Sequence, residues 1–136
     1  MVPSINRRSL FRGVMAHALG MSAVVAGDPI WGTIDRHARA YAALDEALGR
    51  QEELEREWLA RSADRDEAEL VGDPRWVALQ LELNALDDAE ARAATALIRT
   101  KPSTAAGVVA LPRHVASFRD RGYQWPAEVK RRVRAG

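Results

Sequence analysis

Asp28-Pro29-Ile30-Trp31 and Asp73-Pro74-Arg75-Trp76, two copies of one Asp-Pro-x-Trp string 45 residues apart, decide how the rest of this chain is read. Each is a helix start with a mechanism. An Asp side chain caps backbone N–H groups that have no intrahelical partner, and a Pro at the first helical position gives up an N–H that had no partner to lose. Behind the first string, Ile30, Ile34, Tyr41, Leu44 and Leu48 recur on a helical period, with His37 on the same stripe. The pattern continues more weakly through Leu54, Trp58 and Leu59. One helix is therefore expected over about 29–62, with Gly49 as the place for a bend. Behind the second string, Trp76, Leu79, Leu83, Leu86, Ala93 or Ala94 and Leu97 keep the spacing to about Arg99, broken only by Glu90. Two long helices joined by the short polar stretch 62–72, with Gly72 as a stop, are antiparallel neighbours. The sequences behind the two starts diverge, so the strings are repeated punctuation and not a structural repeat.

Working outward, Lys101-Pro102-Ser103-Thr104 breaks the chain and recaps it. Ser103 is the expected cap of a third helix carrying Val108, Leu111, Val115 and Phe118 on one face. Pro112 lies inside that helix, where its ring removes one backbone bond and predicts a kink. Gly122 should end it. Tyr123-Gln124-Trp125-Pro126 reads as an aromatic clasp laid back on the bundle, and Pro126 as the start of a last short helix through Lys130, Arg131, Arg132 and Arg134. The expected fold is all-α: a long antiparallel helical hairpin with a third, shorter helix packed on it. It occupies residues 28–126 and is followed by a basic tail at 127–136.

Composition agrees with long amphipathic helices. Of 136 residues, 47% are hydrophobic, many of them Ala, while 29% are charged and 6% aromatic, which is poor material for a sheet. With no cysteine, disulfides, thiolate metal sites and a Cys nucleophile are excluded. The net charge of +1 conceals an asymmetry. Residues 1–27 carry three Arg and no acid; residues 28–111 carry ten basic and seventeen acidic groups; residues 112–136 carry seven basic and two acidic. An acidic body with basic ends can dock those ends on itself, on anionic lipid or on nucleic acid.

Residues 1–27 read as an export leader. Arg7 and Arg8, followed by Ser9-Leu10-Phe11-Arg12, resemble a twin-arginine signal, and Val14–Gly27 is a weakly apolar stretch ending in small residues. That stretch is too short for the ~30 Å hydrocarbon core of a bilayer, so it is no membrane span. The leader implies a periplasmic protein; without it, a plain N-terminal amphipathic helix behind a basic arm implies a cytoplasmic one.

The two Asp-Pro-x-Trp starts, His37 and Tyr41 behind the first, the run from Lys101 to Leu111 and the Gly122-Tyr123-Gln124-Trp125-Pro126 end together resemble a group of small uncharacterised alphaproteobacterial helical proteins, many with a twin-arginine-like leader. Pro112 departs from the unbroken helix expected there. The resemblance implies a fold and no activity.

No side-chain constellation in the sequence carries chemistry. His37 could meet Glu82 or Glu90 across the hairpin, but a hydrogen-bonded core histidine is the preferred reading, since only His17 and His114 remain as partners of its kind. Glu52-Glu53 and Asp87-Asp88 point about 100° apart on a helix and read as solvated faces. No serine has a base nearby, and nothing suggests a cofactor, a metal or a small-molecule substrate. Trp31, Trp76 and Trp125 read as structural, while Trp58, set among charges, is the expected exposed exception. Trp58, Arg131 and Arg132 are thus the candidate interaction residues, and Arg7 and Arg8 the candidate leader-recognition residues. The leading expectation is a noncatalytic, exported interaction protein with a protein partner, which could be a second copy of itself. The alternatives are a cytoplasmic nucleic-acid accessory protein using its basic ends, and a small enzyme using His37 with Glu82 or Glu90.

Overall fold

A computed structural model of the chain describes residues 27–61 and 67–126. Helix α1 runs Pro29–Arg61, α2 Glu67–Val71, α3 Pro74–Arg99 and α4 Ala105–Arg119, with no strand among the described residues. The chain is all-α, its two long helices form an antiparallel hairpin, and the third major helix is the shorter α4. The connection between the long helices holds the five-residue α2, which the sequence reading did not include. Helix α1 is one element through Gly49, in agreement with the single helix expected over about 29–62. The leader expected at residues 1–27 (save Gly27), with Arg7, Arg8 and His17, and the tail with Arg131 and Arg132 lie outside the described residues.

Both Asp-Pro starts work as the chemistry requires. Asp28 Oδ1 accepts the Ile30 N–H at 3.1 Å, and Asp73 Oδ1 accepts the Arg75 N–H at 2.8 Å, in each case two residues past the cap. Helix α4 is capped by Thr104 and not by Ser103: the Thr104 side chain accepts the Gly107 N–H at 3.0 Å. The cap falls one residue later because both residues can serve, and a contact from Asp28, described below, selects Thr104. Pro112 sits inside α4 without dividing it. Gly122, at φ 79°, adopts the left-handed conformation that glycine tolerates best. The Gly122 N–H bonds back to Arg119 O at 2.9 Å and the Tyr123 N–H to Phe118 O at 3.1 Å. Those two bonds, with the Tyr123 and Phe118 rings in contact, make a Schellman ending.

The chain divides into two compact units. One spans Ala38–Ala93 and holds the body of the hairpin. Leu44, Ala47 and Leu54 of α1 and Leu79 and Leu83 of α3 form its buried core, with Leu48, Trp76 and Leu86 packed against it. Arg50 pairs with Glu82 and Arg75 with Glu57, so rising numbers on α1 meet falling numbers on α3, as antiparallel helices require. The Arg50–Glu82 pair is bidentate, at 2.7 and 3.0 Å, and holds the Glu82 carboxyl below its usual pKa chiefly through those hydrogen bonds. Both side chains are nearly half exposed, so the pair fixes register more than it adds stability. The other unit takes α1 up to His37 together with the chain from Ala94 on.

Candidate functional site

In that second unit, the first three turns of α1, helix α4 and the turn after it bring two histidines and three aromatic rings together. His37 is fully buried, and its Nδ1 lies 2.9 Å from Nε2 of His114 on α4, a hydrogen bond in which one ring donates and the other accepts. Trp125 stacks on His37 at 4.8 Å between ring centroids, while Phe118 and Tyr123 meet it edge-on. The Schellman turn at Gly122 is what aims Tyr123 and Trp125 back at α4. Trp125 is then pinned by its indole N–H, which donates to Val115 O at 3.1 Å. The expected aromatic clasp is therefore present. The reading of His37 as a hydrogen-bonded core histidine holds, with His114 of α4 as a partner that the sequence did not single out.

Burial pushes His114 down to a pKa of about 4, with the neighbouring His37 and Arg121 adding to the effect. His114 is accordingly a neutral imidazole at neutral pH. A hydrogen-bonded pair of this kind, closed in by Phe118, Tyr123 and Trp125, is suited to holding α1 and α4 together. Arg121 caps the outside of the cluster, its guanidinium 5.0 Å from the Phe118 ring centroid.

A second constellation lies at the start of both helices. Asp28 is only 5% exposed, yet its carboxylate is fully used. Oδ1 caps α1, and Oδ2 accepts the Thr104 N–H at 3.0 Å and the Thr104 hydroxyl at 2.6 Å. One carboxylate thus closes the N-terminal ends of two helices. Burial alone would raise its pKa; hydrogen bonds from the Thr104 side chain and from the backbone of Ile30, Ser103 and Thr104 outweigh that and lower it to about 2. The approach is so close that a Cβ at Gly107 would run into the Asp28 carboxylate and lie 2.8 Å from Ile30 Cγ2.

Among the residues singled out from sequence, Glu82 is paired with Arg50, and Glu90 is buried. Trp58 is half-buried, with its indole N–H hidden from solvent and lacking an acceptor. No group of three or more His, Asp or Glu among the described residues could hold a metal ion. The exposed apolar side chains are others: Leu59, Val71, Val77, Leu81, Val108 and Val109. Val77 and Leu81 are one turn apart on the face of α3 turned away from Leu79 and Leu83. Sequence periodicity pointed to the inner stripe because it is longer, and it masked this shorter outer one. No helix among the described residues is long and apolar enough to cross a membrane. Compared with models of known protein families, with curated proteins and with solved structures, the chain matches none of them.

Proposed function

We infer that the protein is a noncatalytic helical binding module, exported by the leader at residues 1–27, that meets a protein partner through the outer face of α3. The observation that carries this reading is Leu81, 67% exposed, with Val77 at 48% one turn before it. Single exposed apolar side chains are common, but two in register on a helix otherwise committed to its inner face form a stripe another helix can pack against. The chemistry-bearing groups support the same reading, since His37, His114, Asp28 and Glu82 each have a structural partner. Export is supported by Arg7-Arg8 and the uncharged stretch behind them, and by the resemblance of the helix starts to small alphaproteobacterial proteins with such leaders.

The test is a photo-crosslinking residue placed at Leu81 in the native host. An adduct of defined mass is expected, lost when Val77→Asp is added and absent when the probe sits at the exposed Asp87, about 120° round the helix from Leu81. No adduct at Leu81, or equal adducts at both positions, would overturn the binding face. Export is tested separately by the mature N-terminus, expected near Asp28. Arg7→Lys with Arg8→Lys should then leave uncut chain in the cytoplasm, whereas Met1 retained on exported protein would sink the leader.

A further inference from the structure

Two uncharged patches lie exposed on α3 and α4, and the charge around them is opposite in sign. On α3, Pro74, Val77, Ala78, Leu81, Asn84 and Ala85 are all exposed. At about 100° per residue they share an arc of about 120°, with no charged side chain in it, and they run for about 16 Å along the helix. On α4, Ala105, Val108, Val109 and Pro112 are exposed and Ala116 is half-buried. These share an arc of about 100° and also span about 16 Å. They lie opposite Gly107 and Phe118, which α4 buries.

The patches match in length and differ in their surroundings. The hairpin body, residues 38–93, carries fifteen acidic and seven basic side chains. The stretch 94–126, which holds α4, carries five basic and one acidic. The contrast holds at close range. Asp88 is exposed one turn past Ala85, and Glu82, bound to Arg50, borders the α3 patch. Arg119 is exposed one turn past Ala116, and Arg113 is exposed beside Val109; the one acid, Asp120, lies 3.6 Å from Arg119. Either patch set against its own copy would bring like charges together, which weakens binding and slows encounter. Set against each other, they join apolar surface to apolar surface and acid to base.

We propose that the outer face of α3 binds the outer face of α4 in a second copy of this chain. The proposal rests on the reading of the α3 face as a binding face and names what it binds. Because the two surfaces differ, the contact is heterologous, so it either closes into a ring or leaves one face of each kind open at the ends of a chain of molecules. A patch about 16 Å by 10 Å is well below the ~800 Å² per partner of a standard interface, so the association is weak and needs a high local concentration.

The test is complementation between two variants of the full chain, Leu81→Asp and Val108→Asp. Both positions are exposed, at 67% and 58%, and melting curves close to that of the wild type establish that each variant folds. In sedimentation at up to about 1 mM, the wild type should self-associate and each variant alone should stay monomeric. An equimolar mixture of the variants should form dimers, because the α4 face of one and the α3 face of the other are intact. A monomeric wild type, or a mixture no more associated than its components, would overturn the proposal. So would self-association of either variant, which would mean that a face pairs with its own copy. The chain has no cysteine, so Leu81→Cys and Val109→Cys chains can be mixed and oxidised as a readout that disrupts neither face. The mixed disulfide should exceed its random share, and yields at the random ratio would overturn the proposal. In the native host, the adduct at Leu81 should have the mass of two chains. An adduct of another mass, with a monomeric wild type, would overturn this partner and leave the α3 binding face standing.

Discussion

At the residue scale, Gly107 and Asp28 make one device. A mid-helix glycine replaced by alanine ordinarily stabilises by up to about 1 kcal/mol, because the backbone loses less freedom. Gly32, with open space around its Cβ position, should behave that way. Gly107 should do the opposite. Its Cβ would displace a carboxylate held by several hydrogen bonds, and overpacking of that kind costs about 1–3 kcal/mol. Thermal melts of Gly32→Ala and Gly107→Ala should therefore shift in opposite directions, and a shared sign would mean that α4 does not approach Asp28 so closely. Asp28 itself has a folded pKa below its unfolded 3.8, so the stability it contributes is complete above that value and is lost as pH falls toward about 2. Asp28→Asn places amide hydrogens opposite the Thr104 donors. It should lower the melting temperature at pH 7 and flatten the acid limb between pH 4 and 2.

At the element scale, the inner stripe of α3 sets the register of the hairpin. Leu83 is 7% exposed and lies within the core formed with Leu44, Ala47 and Leu54. Leu83→Ala should cost about 2–5 kcal/mol, the loss for a buried leucine that leaves part of a cavity. Asp88 is exposed on the same helix, and Asp88→Ala should change stability by only about 0.5 kcal/mol. Chemical denaturation of the two variants decides the point, since equal small effects would mean that the α3 stripe does not face α1. Glu82, next to Leu83, belongs to the ion pair with Arg50. Replacing it should matter less than replacing Leu83 and should be sensitive to salt.

For the molecule as a whole, acid should loosen the cluster that joins α1 to α4. His114 has a folded pKa of about 4 against 6.5 when unfolded, so the unfolded chain takes up a proton before the folded one does. Stability is therefore full above pH 6.5, falls as pH drops from 6.5 to 4, and stops falling on this account below 4. The Gln side chain can still bond His37 Nδ1 but does not titrate, so His114→Gln should reduce the slope of stability against pH in that window by up to one proton. The His114 ring should titrate near pH 4 by NMR; a value near 6.5 would mean that the ring stands in water. The basic ends belong to this scale as well. Any binding of the full chain to DNA or RNA should be weak and should fade by about 0.2 M salt, because contacts to phosphate release counterions. Tight binding that survives such salt would favour a nucleic-acid partner.

What the sequence determined by itself was whatever is local. Asp28-Pro29 and Asp73-Pro74 start helices because an acceptor and a missing N–H act within two residues. Gly122 ends one because a left-handed φ is a property of a single position. The long stripes followed from the helical period, and with them the hairpin. What only the tertiary structure decided was pairing across distance. Ser103 and Thr104 are equivalent as caps until Asp28, 76 residues before Thr104, bonds to Thr104. His37 is equally compatible with a glutamate on α3 or a histidine on α4 until the turn at Gly122 folds Tyr123 and Trp125 over it. Periodicity says which residues point inward on one helix, but not which residue of another helix they will meet. That depends on how far each helix runs before its neighbour begins, and on where a glycine such as Gly107 lets two of them close up.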